Sequence, residues 1–428
     1  MRRFVITLAG FLLAAALGAA PAWARSGPCM APGIKARCSI WTGKVTWVSD
    51  GDTFNVDLDG DRTHRTVIVR TTGINTFEQS VYSSVPSERR GDCHALEATA
   101  RLEQLLRKGG WRVRLAAFDA SSTSRRRWRR AVAVKLRGRW RDVGRILVAE
   151  GHAQWLSTGN EWLWNAGYSA LAERAAAARR GIWNPTYCGR GPQDRARLRL
   201  TVNGDADGLD SENLSGANGE WIRIRNLDPH MTVHLGGWSL QQSAPHRYTL
   251  PEWVTLPPGE VLTVHVGRGT DTWTDVFMGL RHAIFDEPST HGTGDGGYLF
   301  DPQGDLRAWS TYPCRLACTD PYQGAVKLSV KALGRESVTV TNVGTATIDL
   351  DGYRIWSPPD VYAFPIGSVV APGERLRVDV VGDPDEDTRL VKSWGKPTAI
   401  FGDRGDVVRL TNLRGVQLEC VAYGSARC

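Results

Sequence analysis

Beyond its first 24 residues the chain contains no uncharged apolar run near the about 18 residues that a membrane-spanning helix requires, so no such span is expected. There is no Cys-x-x-Cys pair, and no histidine stands at zinc-ligand spacing from a pair of cysteines, which excludes the usual small zinc modules. Helix-period patterning nearly vanishes after the stretch "NPTYCGRGPQDR", leaving Gly, Pro, Asp and alternating apolar residues. The C-terminal half is therefore expected to be all β.

What is present begins with "MRRFVITLAGFLLAAALGAAPAWARS". Arg2 and Arg3, an apolar run and the small-residue site Ala22-Trp23-Ala24 read as a signal peptide over residues 1–24, cleaved near Arg25. Export is expected, and with it an oxidising compartment. Eight cysteines follow: Cys29, Cys38, Cys93, Cys188, Cys314, Cys318, Cys420 and Cys428. The even count favours disulfides, and local pairing gives Cys29 with Cys38, Cys314 with Cys318 and Cys420 with Cys428, leaving Cys93 for Cys188, one of roughly 105 arrangements.

Charge divides the chain. Lys and Arg exceed Asp and Glu by 13 in residues 25–195, whereas the acids are in excess by 7 in residues 196–428. A polyanionic partner is therefore expected for the N-terminal part alone.

Residues 41–75 alternate as strands, with Val45 and Trp47, then Phe54, Val56 and Leu58, then Val67 and Val69 after a Gly60-Asp61 turn. Ala95, Ala98, Leu102, Leu105 and Leu106 mark one face of a helix over 93–107. Strands return at "WRVRLAAF" and "RAVAVKL", and two further helices are expected over "DVGRILVAEG" and "YSALAERAAAARRG", the second capped by Gly181. This order suits a small barrel with helices packed on it, preceded by a cysteine-containing segment over 25–40.

The rest of the chain repeats itself at an offset of about 115 residues. "GEWIRIRNL" at 219–227 matches "RESVTVTNV" at 335–343, "TVHLGGWSL" at 232–240 matches "TIDLDGYRI" at 347–355, and "LPPGEVLTVHVG" matches "VAPGERLRVDVVG". Each copy is long enough for seven or eight short strands, as in a β-sandwich, with Trp238 and Tyr353 as equivalent core aromatics. The loop "NGDADGLDSEN" clusters Asp205, Asp207, Asp210 and Glu212 but fails the EF-hand pattern, and is read as a charged interdomain loop. His230, His234, His265 and His282 are scattered and read as structural.

One constellation carries chemistry. Asp50-Gly51-Asp52-Thr53 alone reads as a turn, but Arg70, Asn75, Thr76 and Glu78 follow, and Arg125, Arg126, Arg127, Arg129 and Arg130 surround Trp128 further on. Phosphodiester hydrolysis needs oxygen ligands for a hard cation, an acid to handle water and guanidinium groups for phosphate. Arginines around an aromatic also suit phosphate contacts with base stacking on single strands.

With "VSDGDTF", "VRTTGINTFEQ", "GDCHALEA", "VAEGHAQW" and the closing "GIW", the region 41–190 resembles a staphylococcal-nuclease-like (thermonuclease) domain, an α+β OB-fold barrel with three helices. The resemblance makes Asp52 a calcium carboxylate, puts Asn75 where a second carboxylate is usual, and has Thr76 complete the Ca²⁺ site through its carbonyl. It implies that Arg70 binds phosphate and that Glu78 handles the attacking water. Counting back from Val134 selects Arg129 as the second phosphate arginine; the family's Tyr-Gly-Arg is absent, so Arg130 and Arg127 remain alternatives. Phe77 replaces a usual Pro.

Residues 196–318 and 323–428 resemble lamin-tail domains, immunoglobulin-like all-β sandwiches that the resemblance casts as binding or targeting modules, with the cell envelope one possible partner. The expectation is a multidomain, monomeric, secreted Ca²⁺-dependent nuclease acting on DNA and RNA, single strands favoured, with little base specificity. The competing expectations are a polyanion-binding protein that no longer cuts, and a disulfide-stabilised envelope protein.

Overall fold

The computed structural model describes residues 24–31, 33–79, 91–189, 191, 193, 195–204, 217, 219–244, 246–316 and 318–428. Residues 1–23 of the expected signal peptide and the acidic cluster Asp205, Asp207, Asp210 and Glu212 lie outside these residues. The molecule is mostly β-sheet with few helices, and no described helix is long and apolar enough to cross a membrane.

The N-terminal part is built on β1 (Arg25–Pro28), β2 (Arg37–Val48), β3 (Thr53–Leu58), β4 (Thr66–Thr71), β5 (Ile74–Asn75), α1 (Ala95–Lys108), β6 (Arg112–Ala117), β7 (Thr123–Ser124), β8 (Arg127–Leu136), β9 (Arg139–Asp142), α2 (Val143–Glu150), β10 (Gln154–Trp155) and α3 (Asn165–Ala177). Strands β2, β3, β4, β8 and β6 pair in that order, and β6 pairs back onto β2, so five strands close into a ring. All these pairings are antiparallel except β4 with β8. Alternation along β3 turns Phe54, Val56 and Leu58 into the ring, fully buried. The cysteine segment is no separate unit: β1 pairs with Arg37–Ile40 of β2, whose twelve residues run unbroken into the ring.

The face expected for the first helix is the face that α1 buries: Ala95, Ala98, Leu102, Leu105 and Leu106. Burying each leucine contributes about 1.5–3 kcal/mol, which fixes the helix against the ring. The expected cap at Gly181 is corrected. Helix α3 ends at Ala177, and Gly181, at φ 51°, begins a separate short turn. Its role is close approach: a Cβ there would lie 2.2 Å from the Gly151 carbonyl oxygen, which accepts the Ile182 N–H at 3.0 Å.

The sequence repeat is a structural repeat. In the first copy one sheet orders Leu198–Asn203, Trp221–Asn226, Val261–His265 and Asp275–Phe277, the last pair parallel; the other orders Arg247–Thr249, Ser239–Gln242, Asp295–Phe300 and Leu306–Tyr312. The second copy reproduces both sheets between Val326 and Ala422, including a parallel pair of Arg377–Asp379 with Val391–Ser393. Side chains repeat as well. The buried Glu220 carboxylate accepts the N–H groups of Ile284 and Phe285, and Glu336 accepts those of Ile400 and Phe401. Asn226 and Asn342 each donate to one loop carbonyl, of Met231 or Ala346, and one strand carbonyl, of Leu256 or Val370. Trp238 and Tyr353 are both in the core, as expected.

All four expected disulfides are present: Cys29–Cys38, Cys93–Cys188, Cys314–Cys318 and Cys420–Cys428. They are compatible with an extracellular location. The three units are packed against one another. Tyr298, Phe300 and Leu306 of the first sandwich belong to the same apolar cluster as the ring and helices. Arg223 and Arg225 reach Asp351 on the second sandwich at 3.0 and 3.1 Å.

Candidate functional site

The turn between β2 and β3 explains why two aspartates stand around a glycine. Asp50 Oδ1 accepts the N–H of Asp52 at 3.0 Å and of Thr53 at 2.7 Å, which closes the turn. A Cβ at Gly51 would come within 2.9 Å of both Ala98 and Thr76, so the position has no room for a side chain. The turn thereby directs Asp52 inward, where it is 1% exposed.

Asp52 is the hub of the site. Its Oδ1 accepts the Thr53 hydroxyl at 2.7 Å, and its Oδ2 accepts the Thr76 N–H at 3.2 Å and pairs with Arg70 Nη2 at 3.2 Å. The same Arg70 nitrogen donates to Asn75 Oδ1 at 2.7 Å. One guanidinium therefore bridges the carboxylate and the amide that the nuclease resemblance casts as metal ligands. Asn75 is positioned by the short β5–β10 ladder, opposite Gln154.

Glu78 lies just beyond, and its N–H donates to Asp92 Oδ2 at 3.2 Å while the Asp92 N–H returns to the Glu78 carbonyl at 2.9 Å. Burial, and then the Asp52 charge, holds the Glu78 carboxyl above its ordinary pKa. Burial followed by the same Asp52 charge pushes Asp50 up to about 7. Three carboxyl groups thus crowd one another, with Arg70 and Arg127 as the opposing charges.

Strand β8 sorts the arginines by its two-residue period. Arg129 stands beside Arg70 in the parallel β4–β8 register. Arg127 Nη1 donates to the Thr53 hydroxyl at 3.2 Å, one bond away from Asp52. Burial first, then the Arg70 charge, lowers the pKa of both Arg127 and Arg129. Asp286 of the first sandwich acts on Arg129 as well. Trp128 and Arg130, expected among the strand-binding residues, face the other way. Arg130 is buried between Trp41 and Trp128, with its guanidinium carbon 4.6 and 4.5 Å from the two rings, and donates to the carbonyls of Ala120 and Ser122. Arg130, 1% exposed and stacked on both rings, offers no surface to a base, whereas Trp128 is only half-buried, with Arg130 against its ring. Arg125 and Arg126 form the exposed two-residue turn of the β7–β8 hairpin, with φ of 48° and 66°.

Asp52, Asn75 and Thr76 offer oxygen donors only, which suits a hard cation in kind. Asp52 supplies the single formal charge of that set, and Arg70 already engages one oxygen of Asp52 and the amide oxygen of Asn75. Among the described residues no three His, Cys, Asp or Glu side chains converge to hold a metal. Sequence reasoning missed Thr53, which links Asp52 to Arg127, and Asp92, which holds the Glu78 main chain. Thr53 is the fourth residue of the quoted turn and Asp92 the second of the quoted "GDCHALEA", but neither pattern assigns them these contacts. A cleft of about 700 Å³ opens beside the site, with Asn75, Thr76 and Glu78 on one wall and Ser239, Gln241 and Arg247 of the first sandwich on the other.

Residues 200–314 match the Lamin Tail Domain family, which agrees with the immunoglobulin-like sandwich found there. The match covers the first repeat and does not extend to the ring. No curated protein matches the chain.

Proposed function

We propose that the N-terminal part is a staphylococcal-nuclease-like OB-fold barrel, and that the chain is an exported nuclease that hydrolyses phosphodiester bonds of single-stranded DNA and RNA with little base specificity. The observation that carries this reading is the buried convergence of Asp52, Arg70, Asn75 and Thr76, with Glu78 and Arg127 within electrostatic reach. In the proposed reaction Arg70 and Arg127 bind the phosphate oxygens, with Arg129 beside Arg70 on the next strand. Glu78, whose carboxyl is held above its ordinary pKa by burial and the Asp52 charge, orients the attacking water and accepts its proton. Asp52, Asn75 and Thr76 would hold Ca²⁺, which supplies positive charge next to the scissile phosphate when bound.

A second reading has its own observation. The Arg70 bridge occupies Asp52 Oδ2 and Asn75 Oδ1 with a cationic side chain, which favours a barrel that binds polyanions and does not cut them. Incubating the full mature chain with labelled single-stranded DNA, with Ca²⁺ and with a chelator, separates the two. Chelator-sensitive cleavage that Glu78→Gln abolishes is expected for the nuclease. Binding without cleavage in either condition removes the enzyme and leaves the binding protein.

A further inference from the structure

Two contacts join the segment carrying Glu78 to the first sandwich. Phe77, 6% exposed, meets Phe300 edge-on with ring centroids 5.5 Å apart. Arg247 Nη1 donates to Asp92 Oδ1 at 2.9 Å, while Oδ2 of the same carboxylate accepts the Glu78 N–H at 3.2 Å. Asp92 thus places one oxygen on each domain.

The neighbouring residues anchor the same junction. Cys93 is bonded to Cys188, whose N–H donates to Asp305 Oδ1 of the sandwich at 2.6 Å. A Cβ at Gly304 would stand 3.3 Å from that of Cys93, so the sandwich lies directly against this end of the segment. The residue that replaces proline in the expected motif is therefore seated by another domain, and the cleft beside Glu78 has a sandwich wall.

The geometry points to the first sandwich as a working part of the site: Arg247 is a positioning residue that fixes the Glu78 main chain through Asp92. This rests on the hydrolase reading and adds that the lamin-tail domain is no detachable module. The Arg247–Asp92 pair has side chains 41% and 26% exposed, so its contribution to global stability is small. Its loss is felt locally, because a small displacement of a water-orienting acid costs rate out of proportion to stability.

The test uses the full mature chain as wild type, Arg247→Gln and Arg247→Lys, with Phe300→Leu as a second probe of the same contact. Hydrogen exchange is followed at the peptide containing Ile74–Gln79, together with kcat and KM on a single-stranded oligonucleotide. Arg247→Gln is expected to speed exchange in that peptide and no other ring peptide, and to lower kcat about tenfold with KM within twofold. Arg247→Lys restores most of both, and Phe300→Leu speeds exchange in the same peptide. Unchanged local exchange in Arg247→Gln and Phe300→Leu overturns the inference even if the wild type cleaves normally. Absence of wild-type cleavage instead overturns the hydrolase reading, and exchange alone then decides whether the sandwich fixes this segment.

Discussion

Asn75→Asp is the most informative substitution, because the structure gives the amide a definite job. Asn75 is 1% exposed, and its Oδ1 accepts from Arg70 Nη2 at 2.7 Å. Asp has nearly the same shape, so the fold and the bond survive while one buried negative charge is added next to Asp52. A pair of unit charges about 4 Å apart interacts by about 4 kcal/mol at an effective dielectric constant of about 20. Most of that gain is offset, since Arg70 is held more tightly by two carboxylates and must be displaced before a cation enters. The expected net improvement is about 1.5–3 kcal/mol, or roughly ten- to a hundredfold in Ca²⁺ affinity. Calorimetric titration of the mature chain with Ca²⁺ measures it, and thermal melting without Ca²⁺ serves as the folding control. A variant that melts like wild type yet binds Ca²⁺ no better would refute the assignment of Asp52, Asn75 and Thr76 as a metal-ligand set.

Four other outcomes are expected. Glu78→Gln should lower kcat by about 10²–10⁴ while oligonucleotide binding, measured by anisotropy, stays within about twofold. Arg127→Gln should weaken single-strand binding and reduce the slope of log K against log salt by about 0.7, the share of one phosphate contact. Replacing Cys93 and Cys188 by Ser opens a link between residues 95 apart and should cost about 2–5 kcal/mol in denaturant unfolding. Buried carboxyl groups should make stability fall as pH rises. Glu220 is pushed up to about 7, above its unfolded value, so its contribution is present at acidic pH and is lost as pH climbs through 7. Glu220→Gln should flatten the decline in melting temperature between about pH 4.5 and 7.

Much of the fold was legible because it is written at short range. The spacing of Ala95, Ala98, Leu102, Leu105 and Leu106 is the helix period, and α1 buries these residues. The two sandwiches were visible as a repeat because each copy preserves its own alternating strands and turns. Short sequence separations also gave three of the four disulfides, with Cys93–Cys188 following by elimination. The arginine cluster was less legible. Its composition suggested a phosphate-binding surface, but strand period and ring curvature sent Arg127 toward Thr53 and turned Arg130 inward between two tryptophans.

By itself the sequence determined local periodicity, the duplication, the charge asymmetry and the identity of the residues gathered near position 75. Those properties depend on neighbours along the chain. Only the tertiary structure decided that Arg70 would bridge Asp52 and Asn75, that Arg130 would be buried between Trp41 and Trp128, and that Arg247, 155 residues away, would share the Asp92 carboxylate with Glu78. Each of these is a directional contact between separate strands or domains. Its existence depends on how the ring closes and where the sandwich docks, information that no local pattern contains.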